Sequence, residues 1–362
     1  MPRPRSRIPR ALLPLLAVVA LAVAACGGGS AAPADSGTST TAEAGAFPAT
    51  VAHKFGNTTI EAEPTRVVTV GLTDQDTVLA LGVVPVGTTE WFGNTPGALF
   101  PWAKARFDEI ANGAPVPEVL PFTDGVAYER VAALRPDLIL ATYSGLTQAD
   151  YDRLSQIAPT VAQPGDVPDY GLGWREQTTT IGAALGRPAA AAELVAGIEK
   201  QFTDARAAHP EFAGRTAAVA TFYNSQYYVY GSKDPRSRVL GELGFTIPAV
   251  VDELAGEEFG ATVSLERSDV LDVGALVWLD AGGEGVRQSV LGQPSYTARA
   301  VHTEGRDLFV SYDGGTTLDP IGGFVTVLSL PVLLGALPDQ LAAVSDGDPA
   351  TAPPAPTPLT SG

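Results

Sequence analysis

One unit of acid, short helix, turn and buried strand occurs twice in this chain, offset by 137 residues. Glu129, Arg130, Leu134 and the apolar run Leu138-Ile139-Leu140 return as Glu266, Arg267, Leu271 and Ala275-Leu276-Val277. A single unit of this kind is common. A matched pair on either side of a long helical stretch points to two lobes built on one plan. The surrounding pattern agrees. Arg66-Val67-Val68-Thr69-Val70 reads as a buried strand ending at Gly71. Residues 74–81 have helical spacing, closed by Gly82. Residues 83–87 read as a short strand whose Pro85 fits an edge or a strand start. A helix over 128–134, a strand over 137–141, a helix over 148–157 and a strand at 160–161 follow. This alternation predicts parallel sheet covered by helices.

The middle of the chain is helical. One segment runs over 173–185 to Gly186, and Pro188 opens an Ala-rich helix to about 208, a favourable place for proline. Strands then return at 217–222, 227–230, 275–279 and 308–311, with a helix at 239–243. Residues 326–337 read as a closing helix interrupted by Pro331. The expected fold is α/β: Rossmann-like lobes of mainly parallel sheet over 47–172 and 209–345, either side of a helical segment over 173–208.

The two ends read differently. Arg3, Arg5, Arg7 and Arg10 precede an apolar run over 11–25, the pattern of an export signal. The run is too short and Ala-rich for a comfortable membrane span, and no later run is long enough. The only cysteine is Cys26, at the end of Val23-Ala24-Ala25-Cys26 and before Gly27-Gly28-Gly29-Ser30. That junction resembles the lipobox of bacterial lipoproteins, in which the cysteine becomes the first mature residue and carries the lipid. The plainer reading is a secretory signal with an incidental cysteine. Residues 26–46 are expected to be a flexible tether. Residues 346–362 carry Pro349, Pro353, Pro354, Pro356 and Pro358 and are expected to be a disordered tail that buries nothing. Removing residues 1–25, which hold four arginines and no acid, takes the net charge from −17 to −21. Such acidity argues against nucleic acid and anionic lipid surfaces as partners. The expected place is extracytoplasmic, lipid-anchored to the outer face of the cell membrane. With one cysteine, no intramolecular disulfide forms.

Catalytic and metal motifs are missing from the sequence. There is no G-x-S-x-G elbow, H-E-x-x-H or Walker loop. Asp74 and Asp76 read as charges at a helix start rather than an acid/base pair. His53, His209 and His302 are scattered, so no clustered metal site and no cofactor are expected. The chain reads as a binder rather than an enzyme.

Several segments together resemble the iron-siderophore binding proteins of ABC importers. They are Arg66-Val67-Val68 with Asp74, Leu81-Gly82-Val83 and Pro85-Val86-Gly87; Tyr128-Glu129-Arg130 through Pro136-Asp137-Leu138-Ile139; Leu154-Ser155-Gln156-Ile157-Ala158-Pro159-Thr160-Val161; Ser264-Leu265-Glu266-Arg267; and Leu328-Ser329-Leu330-Pro331. The resemblance runs in order over 47–341. It implies lobes joined by a single long, rigid helix, a ligand cleft between them, a ferric siderophore as ligand and ABC permease subunits as partner. The chelator fills iron's coordination shell, so scarce histidine fits. Haem or cobalamin on the same scaffold is the alternative ligand, and a non-transport cell-envelope interaction lipoprotein the alternative role. The protein is expected to be a monomer.

Ligands of open α/β sheets sit at the carboxyl ends of the strands. Those ends supply Trp91, Tyr143, Tyr223 and Tyr312, aromatics with polar tips suited to a bulky, partly apolar ligand. Trp102 lies further along a Pro-flanked loop. The densest basic stretch, 230–238, brings Arg236 and Arg238, whose planar forks match chelate oxygens. In the resembled family, arginines of the second lobe contact those oxygens, a role that falls to Arg236 or Arg238. Arg287 is a further candidate. The aromatic richness leans towards hydroxamate chelates. The resemblance also implies that one glutamate per lobe, Glu129 and Glu266, pairs with permease arginines.

Overall fold

The structure is a computed structural model and describes residues 41–359, apart from 94, 123–124, 281–284 and 313–314. Cys26, the export signal and the tether up to residue 40 lie outside the described residues.

The first lobe opens with an antiparallel hairpin, β1 (Ala49–His53) and β2 (Gly56–Ile60). Its sheet holds β3 (Val67–Thr69), β4 (Gly87–Thr89), β5 (Glu118–Leu120), β6 (Leu138–Ala141) and β7 (Thr160–Ala162) in the order β5-β4-β3-β6-β7. Every neighbouring pair is parallel. Helices α1 (Asp74–Ala80), α2 (Pro101–Ile110), α3 (Tyr128–Ala133) and α4 (Gln148–Ser155) complete the lobe. Val67, Val68, Leu138, Ile139 and Leu140 are fully buried, as in a parallel sheet covered on both faces. The strand expected at 83–87 begins later. Pro85 has no N–H to give the ladder, so pairing starts at Val86, which donates to the Val67 carbonyl at 2.8 Å.

Two helices follow, α5 (Trp174–Ala184) and α6 (Pro188–Ala208), separated by a turn in which Gly186 has φ +67°. They touch closely: a Cβ on Gly182 would lie 2.4 Å from that of Ala191. The 21 residues of α6 span about 31 Å. Ala191 is buried in the core of the first lobe, and Ile198 and Phe202 in that of the second. One helix thus belongs to two cores, which makes it a stiff connector. Residues 42–43, expected as tether, dock on it. Glu43 donates its N–H to the Gly186 carbonyl and accepts from the Ala189 N–H at 2.7 Å, satisfying an otherwise free donor of α6.

The second sheet holds β8 (Ala217–Tyr223), β9 (Gln226–Tyr230), β10 (Gly260–Val263), β11 (Ala275–Asp280) and β12 (Asp307–Ser311) in the order β10-β9-β8-β11-β12. Here β8, β11 and β12 are parallel, whereas β9 and β10 run antiparallel to their neighbours. Asn224 and Ser225, both at positive φ, make the tight β8–β9 turn. Around this mixed sheet lie α7 (Pro235–Glu242), α8 (Ala249–Ala255), α9 (Gly285–Leu291), α10 (Pro294–Thr297), α11 (Ala300–Thr303), α12 (Leu330–Leu334) and α13 (Leu337–Ser345). The closing helix expected over 326–337 is two helices. Thr326 and Ser329 bond to each other in a turn, and Pro331 and Pro338 open α12 and α13 instead of interrupting one helix.

The repeat has a structural counterpart. β6 and β11 hold the same place, fourth in their sheets, and each follows a short helical segment: α3 for Glu129, a 3-10 helix over Leu265–Leu271 for Glu266. The C-terminal segment departs from expectation. Residues 346–359 are laid against the second lobe: Gln340 Nε2 donates to the Pro354 carbonyl, Thr317 N–H to that of Thr357 at 2.9 Å, and Leu359 N–H to that of Gly315 at 2.8 Å. Its prolines prevent helix but not an extended path that bonds through the residues between them.

Candidate functional site

The lobes meet in an aromatic cluster fed by both sheets. From the first lobe, the loop after β4 supplies Trp91 and Phe92, the residue after next beyond β6 is Tyr143, and α2 with its approach supplies Phe100 and Trp102. From the second lobe come Tyr312, just after β12, and Phe324. Phe324 sits 4.0 Å from Phe100, 5.0 Å from Phe92 and 5.2 Å from Trp91, ring centre to ring centre. Phe92 and Tyr312 are 5.9 Å apart, and Trp91 and Tyr143 6.4 Å. Apart from the closer Phe100–Phe324 contact, these are ordinary edge and offset distances for attractive ring pairs. The Gly322-Gly323 pair makes the approach possible. A Cβ on Gly322 would lie 2.3 Å from the Tyr312 ring, and one on Gly323 2.7 Å from Trp91.

Arg236 is the charge at this cluster. It is 8 % exposed, in the first turn of α7. Asp234 caps that helix by accepting from the Arg236 N–H at 2.8 Å, and its other oxygen accepts from Nη1 at 2.7 Å. The guanidinium lies over the Tyr230 ring at 4.3 Å, a cation–π distance. Nη2 points to the Gly322 carbonyl at 3.4 Å and lies 3.0 Å from the position of a Gly323 Cβ. Nε is buried without a hydrogen-bond partner. Burial pulls the pKa of this arginine down, but the Asp234 carboxylate, with the neighbouring tyrosines, more than offsets it, and the pKa is raised. Burial likewise raises the Tyr143, Tyr230 and Tyr312 hydroxyls, so all three are neutral at pH 7 and able to donate. A buried cation ringed by phenols from two lobes can bind anionic or strongly polar oxygens without a metal ligand of its own.

Beneath the cluster lie two acids in the first turn of α1, as the sequence reading has them, and both are buried. Asp74 accepts from the Thr142 N–H at 2.8 Å, the Thr142 hydroxyl at 2.7 Å and Gln177 Nε2 of α5 at 3.0 Å. Asp76 accepts on one oxygen from Trp102 Nε1 at 2.8 Å and from the Thr326 hydroxyl at 2.7 Å, so it bridges the lobes. Burial pushes the Asp76 carboxyl up to about 6, with the Thr326 and Trp102 bonds pulling the other way. Trp102, expected on a loop, is in the first turn of α2, where its N–H reaches this acid.

A comparison of the chain with known families then bears on this geometry. The model of the Periplasmic binding protein family matches residues 67–299, well over half of the chain. The chain belongs to this family. It is 28 % identical over 207 residues to the probable siderophore-binding lipoprotein YfiY of Bacillus subtilis, covering 57 % of this chain and 59 % of that one. It thus spans about three fifths of that relative's length. Among solved structures, a periplasmic solute binding protein from Mycobacterium smegmatis is 35 % identical with a TM-score of 0.71, covering 82 % of this chain and 98 % of that one. The Streptococcus pneumoniae protein PiaA in complex with ferrichrome is 25 % identical with a TM-score of 0.71, covering 83 % and 99 %.

Within this periplasmic binding fold the residues singled out from sequence divide. Trp91, Tyr143, Tyr312 and Arg236 come together. Tyr223 stands at the tip of the β8–β9 hairpin, at the same end of the sheet but 70 % exposed. Arg238, two residues along α7 and so on another face, turns to the start of α5, where Nη1 lies 3.0 Å from the position of a Gly173 Cβ. Arg287 is on α9, stacked 4.8 Å from Phe309, away from the cluster. Glu129 and Glu266 are both exposed. The histidines are elsewhere: His53 bonds Thr58, His209 contacts Glu211 and His302 contacts Asp307. Sequence reading missed Phe92, Tyr230, Phe324 and the Gly322-Gly323 pair. The adjacent glycines beside an aromatic were a usable signal. A 350 Å³ groove between α6 and the closing helices lacks aromatic lining and is not this site.

Proposed function

We propose that this protein captures a ferric siderophore, of hydroxamate type, in the cleft between its lobes and delivers it to an ABC importer permease. The observation that carries the reading is the buried guanidinium of Arg236 set among neutral phenols and indoles contributed by both lobes. A ferric hydroxamate offers what that surface suits: a bulky body for the rings and polar chelate oxygens for the donors. The likeness to a ferrichrome-bound structure supports the hydroxamate class. All three histidines lie away from the cluster, so haem bound there would have to draw its axial ligand from a tyrosine. Trp91, Tyr143, Tyr312 and Arg236 are the proposed contacts, with Tyr223 at the rim. Arg238 is the weaker of the two arginines. Cys26 is the proposed lipid attachment point.

Titrating the purified protein with ferric hydroxamate, catecholate and citrate complexes and with haem, read by tryptophan fluorescence, tests the ligand class. Micromolar or tighter quenching by the hydroxamate alone or most strongly is expected. Preferential saturation by haem overturns the reading. Cell fractionation tests the anchor: Cys26→Ser should move the protein out of the membrane fraction, and its retention there would refute the lipobox reading.

A further inference from the structure

The C-terminal segment 346–359 is held at several points. Within it Thr351 donates from its hydroxyl to Asp346 at 2.6 Å, and Pro349 packs so closely on Gly305 of the second lobe that a Cβ there would lie 2.7 Å away. Gln340 holds the Pro354 carbonyl. The segment then pairs antiparallel with residues 315–317, through Thr317 N–H to the Thr357 carbonyl and Leu359 N–H to the Gly315 carbonyl. Pro358 sits in the bridge without harm, because the two bonds use residues 357 and 359. Those same residues are held from inside by buried Asp319, which accepts from the Gly315 N–H at 2.7 Å and the Thr316 N–H at 3.0 Å. The segment ends by seating Leu359 against the apolar cluster of Leu79, Phe100, Trp102 and Phe107 from the first lobe and Phe324 from the second.

We propose that this segment is a clasp. It runs up the second lobe, fixes residues 315–317 and inserts Leu359 where both lobes meet, so it holds the lobes in register and slows ligand release. Four prolines between 353 and 358 restrict its unbound conformations and lower the entropy cost of closing it. Leu359 acts through the cluster and is a positioning residue. Only the kinetic half of the test depends on the ligand class proposed above.

The full-length protein is compared with a chain ending at Asp348, with Leu359→Asp, and with Leu359→Met as the conservative variant. Without ligand, acrylamide quenching of the parent reports mainly on Trp91, since Trp102, Trp174 and Trp278 are buried, and Trp102, in the cluster that Leu359 packs against, is the one that opening the clasp would uncover. Amide exchange of Thr317 reports the pairing. The truncated chain should exchange Thr317 faster and be quenched more, Leu359→Asp should be quenched more, and Leu359→Met should match the parent. With ferrichrome as probe, dissociation should be about tenfold faster for the truncation and Leu359→Asp, with association little changed. Unchanged quenching in both disruptive variants overturns the clasp. So does faster Thr317 exchange with an unchanged dissociation rate, because the segment is then only a strap on the second lobe. If ferrichrome does not bind the parent, the ligand reading fails, and the quenching comparison alone decides the clasp.

Discussion

Asp76 shows how one side chain can serve the interface and still cost stability. It is 2 % exposed and joins Trp102 of the first lobe to Thr326 of the second. Its carboxyl titrates near 6 in the folded protein against 3.8 when unfolded. The folded state therefore binds this proton more tightly. Its contribution is full below about pH 4 and is lost as pH rises through about 6, a change on the order of 3 kcal/mol. Asp76→Asn keeps an oxygen for both donors and removes the titration. Urea unfolding from pH 4 to pH 7.5 should show the parent losing stability relative to this variant by about that amount. Parallel profiles would contradict the assignment. Nothing in the sequence marked this acid as an interlobe bridge. Its helix-start position was legible, but its burial was not, and only the packing of Thr326 against it reveals the partner. At 230–238 the basic stretch was legible but its burial was not: Asp234 and Arg236 are paired at 2.7 Å and both are buried.

At the scale of elements, legibility followed burial. β3, β6, β8 and β11 are covered on both faces and read as unbroken apolar runs. The connector α6 was bounded by its own Pro188. The two-stranded hairpin at the start, the short edge strands β5 and β10 and the small helices α9 to α11 carry too few apolar residues to announce themselves. The repeat was visible because both copies must build the same helix-to-strand step. Glu129 and Glu266 open those steps, both exposed. Glu266 has a local task as well: its own N–H and the Ser264 hydroxyl hold its carboxyl below the ordinary range. Glu129 is an acid in the first turn of α3. Changing both to Ala should leave folding and ligand affinity intact and impair ferric-chelate uptake by cells. Normal uptake at native expression would leave helix capping as the whole account of the pair. The C-terminal segment was misread because proline was taken to exclude contact, whereas it excludes only helix and certain donors.

The whole molecule is two sheets that share a connector, an aromatic seam and a buried polar bridge. A helix common to two cores, Asp76 across the interface and the Phe324 cluster all oppose large lobe motion. On the proposed reading, ligand capture depends on a surface already formed, with Arg236 as its one buried cation among the described residues of the cluster. The direct test compares ferric hydroxamate affinity, by tryptophan fluorescence, for the parent, Arg238→Ala and the double variant Asp234→Asn/Arg236→Gln. The double variant removes both members of the buried pair together, so no charge is stranded in the interior. The account predicts weakening by about 1.5–3 kcal/mol for the double variant, the scale of hydrogen bonds to a charged group, and near-parental binding for Arg238→Ala. Parental affinity in the double variant, with binding lost in Arg238→Ala, would contradict it.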